Sequence, residues 1–187
     1  MKKHIVTALI YTVVTAIVLG LGYPLAITAV AHVLFPRQAA GGLIYDARGG
    51  VIGSQLIGQP FTGQGYFHSR PSAAGAGYDA ANSSGSNLGP TNGALISRIH
   101  DSVAAAHGSA VPIDLVTTSA SGLDPDITPA AALFQVAAIA AARHMSEDQV
   151  RELVSTHVVE RQLGILGEPR VNVLQLNLAL DRLHPMR

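Results

Sequence analysis

Apolar residues fill positions 5–35 without alternation and without a polar face. Between Lys3 and Arg37 there is no carboxylate, lysine or arginine, and the strongly polar side chains are threonines and two histidines near the ends. A helix that is apolar on every side belongs in lipid, where a hydrocarbon core of roughly 30 Å at about 1.5 Å of rise per residue needs about 20 residues. The run exceeds that length. It predicts a cytoplasmic N-terminus and transmembrane helix within residues 1–36, with a separate domain over 37–187. The competing expectation is a cleaved secretory signal, because Lys2 and Lys3 form a basic n-region and Ala29-Val30-Ala31 has the small-x-small pattern of a cleavage site. The run is long for a signal and continues past that site through Val33, Leu34 and Phe35, which favours a retained anchor. Gly20, Gly22 and Pro24 either kink the helix, open a close-packing face for a neighbouring helix, or are simply tolerated.

Beyond the anchor the patterns shorten. Leu43-Ile44-Tyr45 and Val51-Ile52 flank Asp46-Ala47-Arg48-Gly49-Gly50, two strands and a hairpin turn. Residues 58–92 are rich in Gly, Ser, Ala and Asn and show no sustained period, which suits either a flexible linker or an ordered, functional loop. Phe61, Tyr66, Phe67 and Tyr78 need something to bury them, and favour the ordered loop. Thr91 or Asn92 caps a helix running to His107, with Leu95, Ile96, Ile99 and Val103 on one face. Pro112 opens a strand over 113–118. Thr128 and Pro129 start an alanine-rich helix to Met145, and Ser146-Glu147-Asp148-Gln149 is a capping box for the next, whose apolar face is Val150, Leu153 and Val154. Over 172–183, Leu174, Leu176, Leu178 and Leu180 suit a strand, while Val173, Leu176, Leu180 and Leu183 suit a helix; leucine content and an Asn172 cap tip the balance to helix. The predicted class is α+β: one N-terminal transmembrane helix followed by a single mixed extracytoplasmic domain of short strands and about four helices.

Composition narrows what such a domain does. Twelve basic and twelve acidic residues are dispersed along the 187-residue chain, so no basic stripe supports nucleic-acid binding. The absence of cysteine excludes disulfides, thiolate metal sites and cysteine nucleophiles. Lys2 and Lys3 are the only lysines. A P-loop lysine, a Schiff-base lysine and the Asp-Lys pair of a P-type phosphorylation site are therefore excluded from the domain, and any nucleotide hydrolysis must lie on another chain. The same two lysines hold the N-terminus in the cytoplasm and put the domain outside it.

Asp124 and Asp126, with Asp114 nearby in sequence, suit either acid and base work, a site for a hard cation, or a turn with favourable charge before a helix. His68, His100, His107, His144 and His157 are scattered without metal-ligand spacing, and no Gly-x-Ser-x-Gly or Ser-x-x-Lys motif occurs. By elimination the domain is a non-catalytic accessory on the outer face, with an anchored or secreted hydrolase using Asp124 and Asp126 as the alternative. The stiff turns of the 58–92 loop suggest a binding face.

The segments Gly53-Ser54-Gln55-Leu56-Ile57-Gly58-Gln59-Pro60-Phe61, Tyr66-Phe67 with Arg70-Pro71-Ser72-Ala73, Gly85 to Asn92, Asp114 to Thr117, Ser121 to Pro125, Leu166 to Leu174 and Leu176 to Asp181 together resemble the C subunit of the bacterial Kdp potassium-transporting ATPase, and the likeness runs the length of the chain. Asp126, Ser84 and Ile165 depart from the usual histidine, glycine and phenylalanine. The resemblance implies a single-pass subunit of the inner membrane, in a complex where a channel-like subunit selects potassium, a P-type subunit hydrolyses ATP and a small membrane subunit completes the set. ATP and potassium are then handled by the complex, and no cofactor is expected on this chain. The family is also described as raising the ATP affinity of the hydrolysing subunit, with Leu115 to Gly122 similar to the signature loop of ABC transporters. That description makes Ser119, Ser121 and Gly122 nucleotide-linked, although the expected topology routes any such effect through the membrane helix. Partner-contact candidates are Phe61, Tyr66, Phe67, Arg70, Pro71, Ser72, Asn87, Gly89, Pro90 and Asn92.

Overall fold

The computed structural model describes residues 1–106 and 110–185. The chain forms two compact units, Met1–Leu43 and Ile44–Arg187.

In the first unit, α1 (Lys2–Ile17), a π-helical turn (Val18–Gly22) and α2 (Tyr23–Leu34) form one helix of 33 residues, which holds an 18-residue stretch of mean hydropathy 2.3. It is long and apolar enough to cross a membrane, spanning about 50 Å at the usual rise per residue. Gly20 and Gly22 lie in the π turn, immediately ahead of Pro24. The wider turn accommodates a residue that cannot donate to the ladder. Thr7, Thr15 and Thr28 each donate their hydroxyl to the carbonyl four residues back. That return bond is how a threonine avoids an unsatisfied polar group in hydrocarbon. A short helix, α3 (Pro36–Ala39), follows.

The expected hairpin follows, formed by β1 (Leu43–Tyr45) and β2 (Val51–Ser54). Its turn is tied by Asp46, whose carboxylate accepts from Arg48 N–H at 2.8 Å and Gly50 N–H at 2.7 Å. No regular element interrupts the chain from there to α4 (Gly93–Ala105), which Asn92 caps by accepting from Ala94 N–H. The expected end of α4 at His107 falls outside the described residues. α5 (Pro129–Arg143) is capped by Thr128 and stops two residues short of Met145, because His144 turns left-handed at φ 55°. α6 (Glu147–Thr156) carries the full capping box, and α7 (Val173–Leu183) is a helix capped by Asn172.

The strand expected over 113–118 is instead a 3-10 turn, Ile113–Leu115. Asp114 accounts for it: the side chain is 6% exposed and accepts the Thr128 N–H at 2.6 Å. Curling the backbone brings that carboxylate beneath the start of α5, where an extended chain would leave it facing water. The sheet lies elsewhere, in β3 (Asp126–Ile127), β4 (Val158–Val159) and β5 (Arg170–Asn172), antiparallel in the order β3-β5-β4. Asp126 pairs with Asn172, and Val158 with Val171.

The core forms where α5, α6 and α7 pack around this sheet. Val136, Ile139, Val150, Val154, Val171, Leu176 and Leu180 are all within 1% of full burial. Phe67, from the irregular loop, is buried completely among them, a placement that stabilises the loop by about 1.5–3 kcal/mol. Between β4 and β5 the chain makes a tight excursion in which Leu163 (φ 54°) and Gly164 (φ 75°) are both left-handed. That conformation suits glycine and costs a leucine roughly 1–2 kcal/mol.

Candidate functional site

The long loop between β2 and α4 is threaded onto the core by side-chain amides. Asn177, 1% exposed, accepts Phe67 N–H at 2.8 Å and donates to Phe67 C=O at 2.9 Å. Gln135 repeats this bracket one residue later, accepting His68 N–H at 2.8 Å and donating to His68 C=O at 3.2 Å. Two consecutive residues thereby have their backbone groups satisfied by helices, as a neighbouring strand would satisfy them.

Arg143 fixes the loop at Gly65. Its side chain is fully buried, donating from Nε to Gly65 C=O at 2.6 Å, from Nη1 to His184 C=O at 2.7 Å and from Nη2 to Asp181 at 2.8 Å. The guanidinium also lies 4.6 Å from the Tyr66 ring centroid, a favourable cation–π distance. Tyr66 Oη in turn donates to Asp181 at 3.2 Å, and its ring sits 5.8 Å from that of Phe61. The sequence reading missed Arg143. Its signal was present, since it is the one Lys, Arg, Asp or Glu between Pro129 and Met145.

Arg70 bridges to the next segment, with Nη1 on Asp124 at 3.3 Å and Nη2 on Thr118 C=O at 3.2 Å. Ser72 Oγ donates to Gly122 C=O at 2.6 Å and accepts from Tyr78 N–H at 2.7 Å, while Tyr78 Oη donates to Arg70 C=O at 2.6 Å. Gly122 is buried at φ 67°, where a side chain would collide with Ser84 C=O and come within 2.7 Å of Ala74 N. Only glycine admits this approach. Ser121 C=O accepts from Ser84 N–H and Ser83 Oγ, both at 3.0 Å, and Ser119 Oγ lies 3.4 Å from Ser121 Oγ. Ser121 and Gly122 thus pin two loops together, with Ser119 beside them.

The contact candidates therefore separate. Phe67 is in the core; Phe61, Tyr66, Arg70, Pro71 and Ser72 are half-buried; Asn87, Gly89, Pro90 and Asn92 are exposed. Asn87 is left-handed at φ 53°, and Asn92 N–H closes on Gly89 C=O at 3.0 Å. This segment holds its shape as a turn.

Asp114, Asp124 and Asp126 do converge, lining a cleft of about 320 Å³ with Arg70, Glu168 and Arg170. Each carboxylate is committed. Asp124 takes Arg70 and Asp126 N–H, and Asp126 takes Arg170 Nε and Asn172 Nδ2, both at 3.0 Å. Burial pushes the Asp126 carboxyl up, opposed by the Asn172 hydrogen bond and the Arg170 charge. The arrangement is that of a brace joining loop to sheet.

The family model described as K+-transporting ATPase, c chain, matches residues 5–182. A potassium-transporting ATPase KdpC subunit from Koribacter versatilis is 58% identical over 190 residues, covering 100% of this chain and 98% of the relative. One from Acidobacterium capsulatum is 60% identical, covering 97% and 100%, and one from Caulobacter vibrioides is 53% identical, covering 99% and 96%. The match takes in the apolar helix, the braced loop and the final helix alike, and on it the chain belongs to the KdpC family, the c chain of the K+-transporting ATPase.

Proposed function

We propose that this chain is a non-catalytic accessory subunit of an ATP-driven potassium importer, held in the cell membrane by its N-terminal helix. The observation that carries the reading is the family match over residues 5–182. The absence of any lysine after Lys3 supports placing ATP hydrolysis on a partner, because a P-type phosphorylation site requires an Asp-Lys pair that this domain lacks. Lys2 and Lys3 favour a cytoplasmic N-terminus and an extracytoplasmic domain.

In this arrangement the domain steadies the external mouth of the ion-selecting subunit. The braced loop supplies the contact face: Asn87, Gly89, Pro90 and Asn92 meet the partner, and Phe61, Tyr66, Phe67, Arg70, Pro71 and Ser72 hold them in place. Fixed turns suit recognition because little entropy is lost when they dock. Ser119, Ser121 and Gly122 act as scaffold, so any influence on nucleotide affinity passes through the membrane helix to the hydrolysing subunit.

The test is a truncation retaining residues 1–42, expressed in a strain lacking the full chain. The expected result is no growth on limiting potassium, with growth restored by the intact chain. Normal high-affinity uptake by the truncation overturns the reading.

A further inference from the structure

The hairpin of β1 and β2 is fastened at its root and bare at its tip. At the root, Gln55 C=O accepts from Asn172 Nδ2 at 2.9 Å and Gln55 Oε1 accepts from Gln175 Nε2 at 3.0 Å, which ties the chain just past β2 to the start of α7. The turn is shaped in advance: Asp46 N–H donates to Gly50 C=O at 2.8 Å, Gly49 N–H donates to Asp46 C=O at 3.1 Å, and Gly49 is left-handed at φ 82°. These are the bonds of a three-residue hairpin loop, in which Tyr45 and Val51 stand opposite each other and share a face. Tyr45 is 56% exposed, Val51 59% and Ile52 37%. The hairpin is a sheet of two strands, separate from the sheet of the core. Two strands by themselves are marginal in water, and this pair leaves the apolar residues at its tip facing solvent.

We infer that this tip rests in the headgroup layer of the membrane that the N-terminal helix crosses, a placement that depends on the anchored reading given above. Continuity of the chain selects the occupant. The apolar run continues to Phe35, which holds that end of the helix at the bilayer boundary. Only residues 35–43 separate α2 from Ile44, and four of them are wound into α3. At about 3.4 Å per extended residue and about 1.5 Å per helical one, they reach about 26 Å at most. The hairpin therefore cannot travel far from the lipid surface. Its side chains suit that layer, because a tyrosine beside aliphatic residues is the pairing enriched at membrane–water interfaces. Arg48, in the turn, is exposed and enters no ion pair among the described residues. Its stem lies along apolar surface while the guanidinium stays among headgroups. Asp46 is the one carboxylate between Ile44 and Tyr78, and its Oδ1 is taken up by Arg48 N–H and Gly50 N–H. Asp46 and Arg48 cancel in charge, so apolar and aromatic area, and not net charge, draws the tip to lipid.

The chain has no cysteine, so Val51→Cys carries a nitroxide at one place. The labelled full chain is assembled with the other transporter subunits in vesicles of phosphatidylcholine and phosphatidylglycerol, and power saturation against oxygen and a water-soluble nickel chelate reads the depth of the label. It is expected about 5–10 Å inside the headgroup boundary, while a label at Ser155→Cys, exposed on α6, stays in water. A Val51→Cys label reached mainly by the chelate, reached by neither reagent because a partner subunit covers it, or lying no deeper than at Ser155→Cys overturns the proposal. Adding Tyr45→Asp should bring the Val51→Cys label out into water and leave the thermal midpoint of the domain little changed, because Tyr45 already faces solvent. An unchanged depth in that variant also overturns it. Alkaline extraction separates the two readings: a full chain that washes off the vesicles overturns the anchor and the hairpin contact together, whereas a retained chain whose label lies in water overturns the hairpin contact alone.

Discussion

Arg143 illustrates how one side chain can organise a region that has no secondary structure of its own. Three of its donors and one face are used, by Gly65 C=O, His184 C=O, Asp181 and the Tyr66 ring. Lysine can supply the charge but not the planar fork. Arg143→Lys is therefore expected to destabilise the domain by about 2 kcal/mol, and Arg143→Ala by about 3–5 kcal/mol because it empties a fully buried site and unpairs the buried Gly65 carbonyl. Denaturant unfolding of both variants measures this, and near-equal effects would contradict the role of the fork. The carboxylates offer a second check at this scale. Burial raises the Asp126 carboxyl, so its contribution favours the fold below the ordinary aspartate range and is lost as pH rises through its folded value. Asp79 is shifted the other way, mainly by the Asn82 side-chain hydrogen bond, so its contribution is present above the ordinary range and lost as pH falls. Carboxyl-carbon NMR should find the two titrations on opposite sides of the usual aspartate value. In unfolding experiments from about pH 3 to about pH 7, the stability of wild type relative to Asp126→Asn should fall as pH rises.

At the scale of elements, local chemistry and tertiary demand contributed differently. Helices announced themselves: Ser146 with Gln149, Thr128 with Pro129, and Asn172 each cap a helix as their types predict. Ser146→Ala should destabilise the domain by about 1 kcal/mol, with Gln149→Ala adding less, since Ser146 Oγ, which accepts Gln149 N–H, also donates to the Gln149 Oε1 that accepts Ser146 N–H. Thermal unfolding of the two single variants and the double tests that non-additivity. The sheet was illegible. β3 and β4 are two residues each, too short for alternation to register, and β3 opens on Asp126, a residue type disfavoured in strands. Residues 113–118 failed in the opposite direction, because their β-branched composition suggested a strand that the burial of Asp114 overruled. The loop's aromatic residues correctly signalled order, yet nothing local identified Asn177 and Gln135 as the groups that bracket Phe67 and His68.

For the whole molecule, two compact units of unlike chemistry share one chain. The first has no buried residue in its long helix and depends on its surroundings, whereas the second carries its own core. In detergent micelles, heating should therefore melt the domain in one cooperative step while the helical signal of the anchor persists to higher temperature. Circular dichroism followed alongside tyrosine fluorescence distinguishes this from loss of all structure together. Within the domain, half-buried contact candidates and fully exposed ones were indistinguishable in the sequence. Arg70 and Ser72 read as contact candidates in an irregular segment, and tertiary structure turned them inward as fastenings.

The amino-acid sequence by itself determined the apolar helix, the caps of the domain helices, and the exclusion of lysine and cysteine chemistry. These follow from composition and near-neighbour order, which act over a few residues of chain. Only the tertiary structure decided the three-stranded sheet, the 3-10 turn at Asp114, the Arg143 fastening and the exposure of the hairpin tip at Val51. Each of these depends on whether groups distant in sequence meet, as Arg143 meets Gly65 across 78 positions, or on whether an apolar side chain finds cover at all.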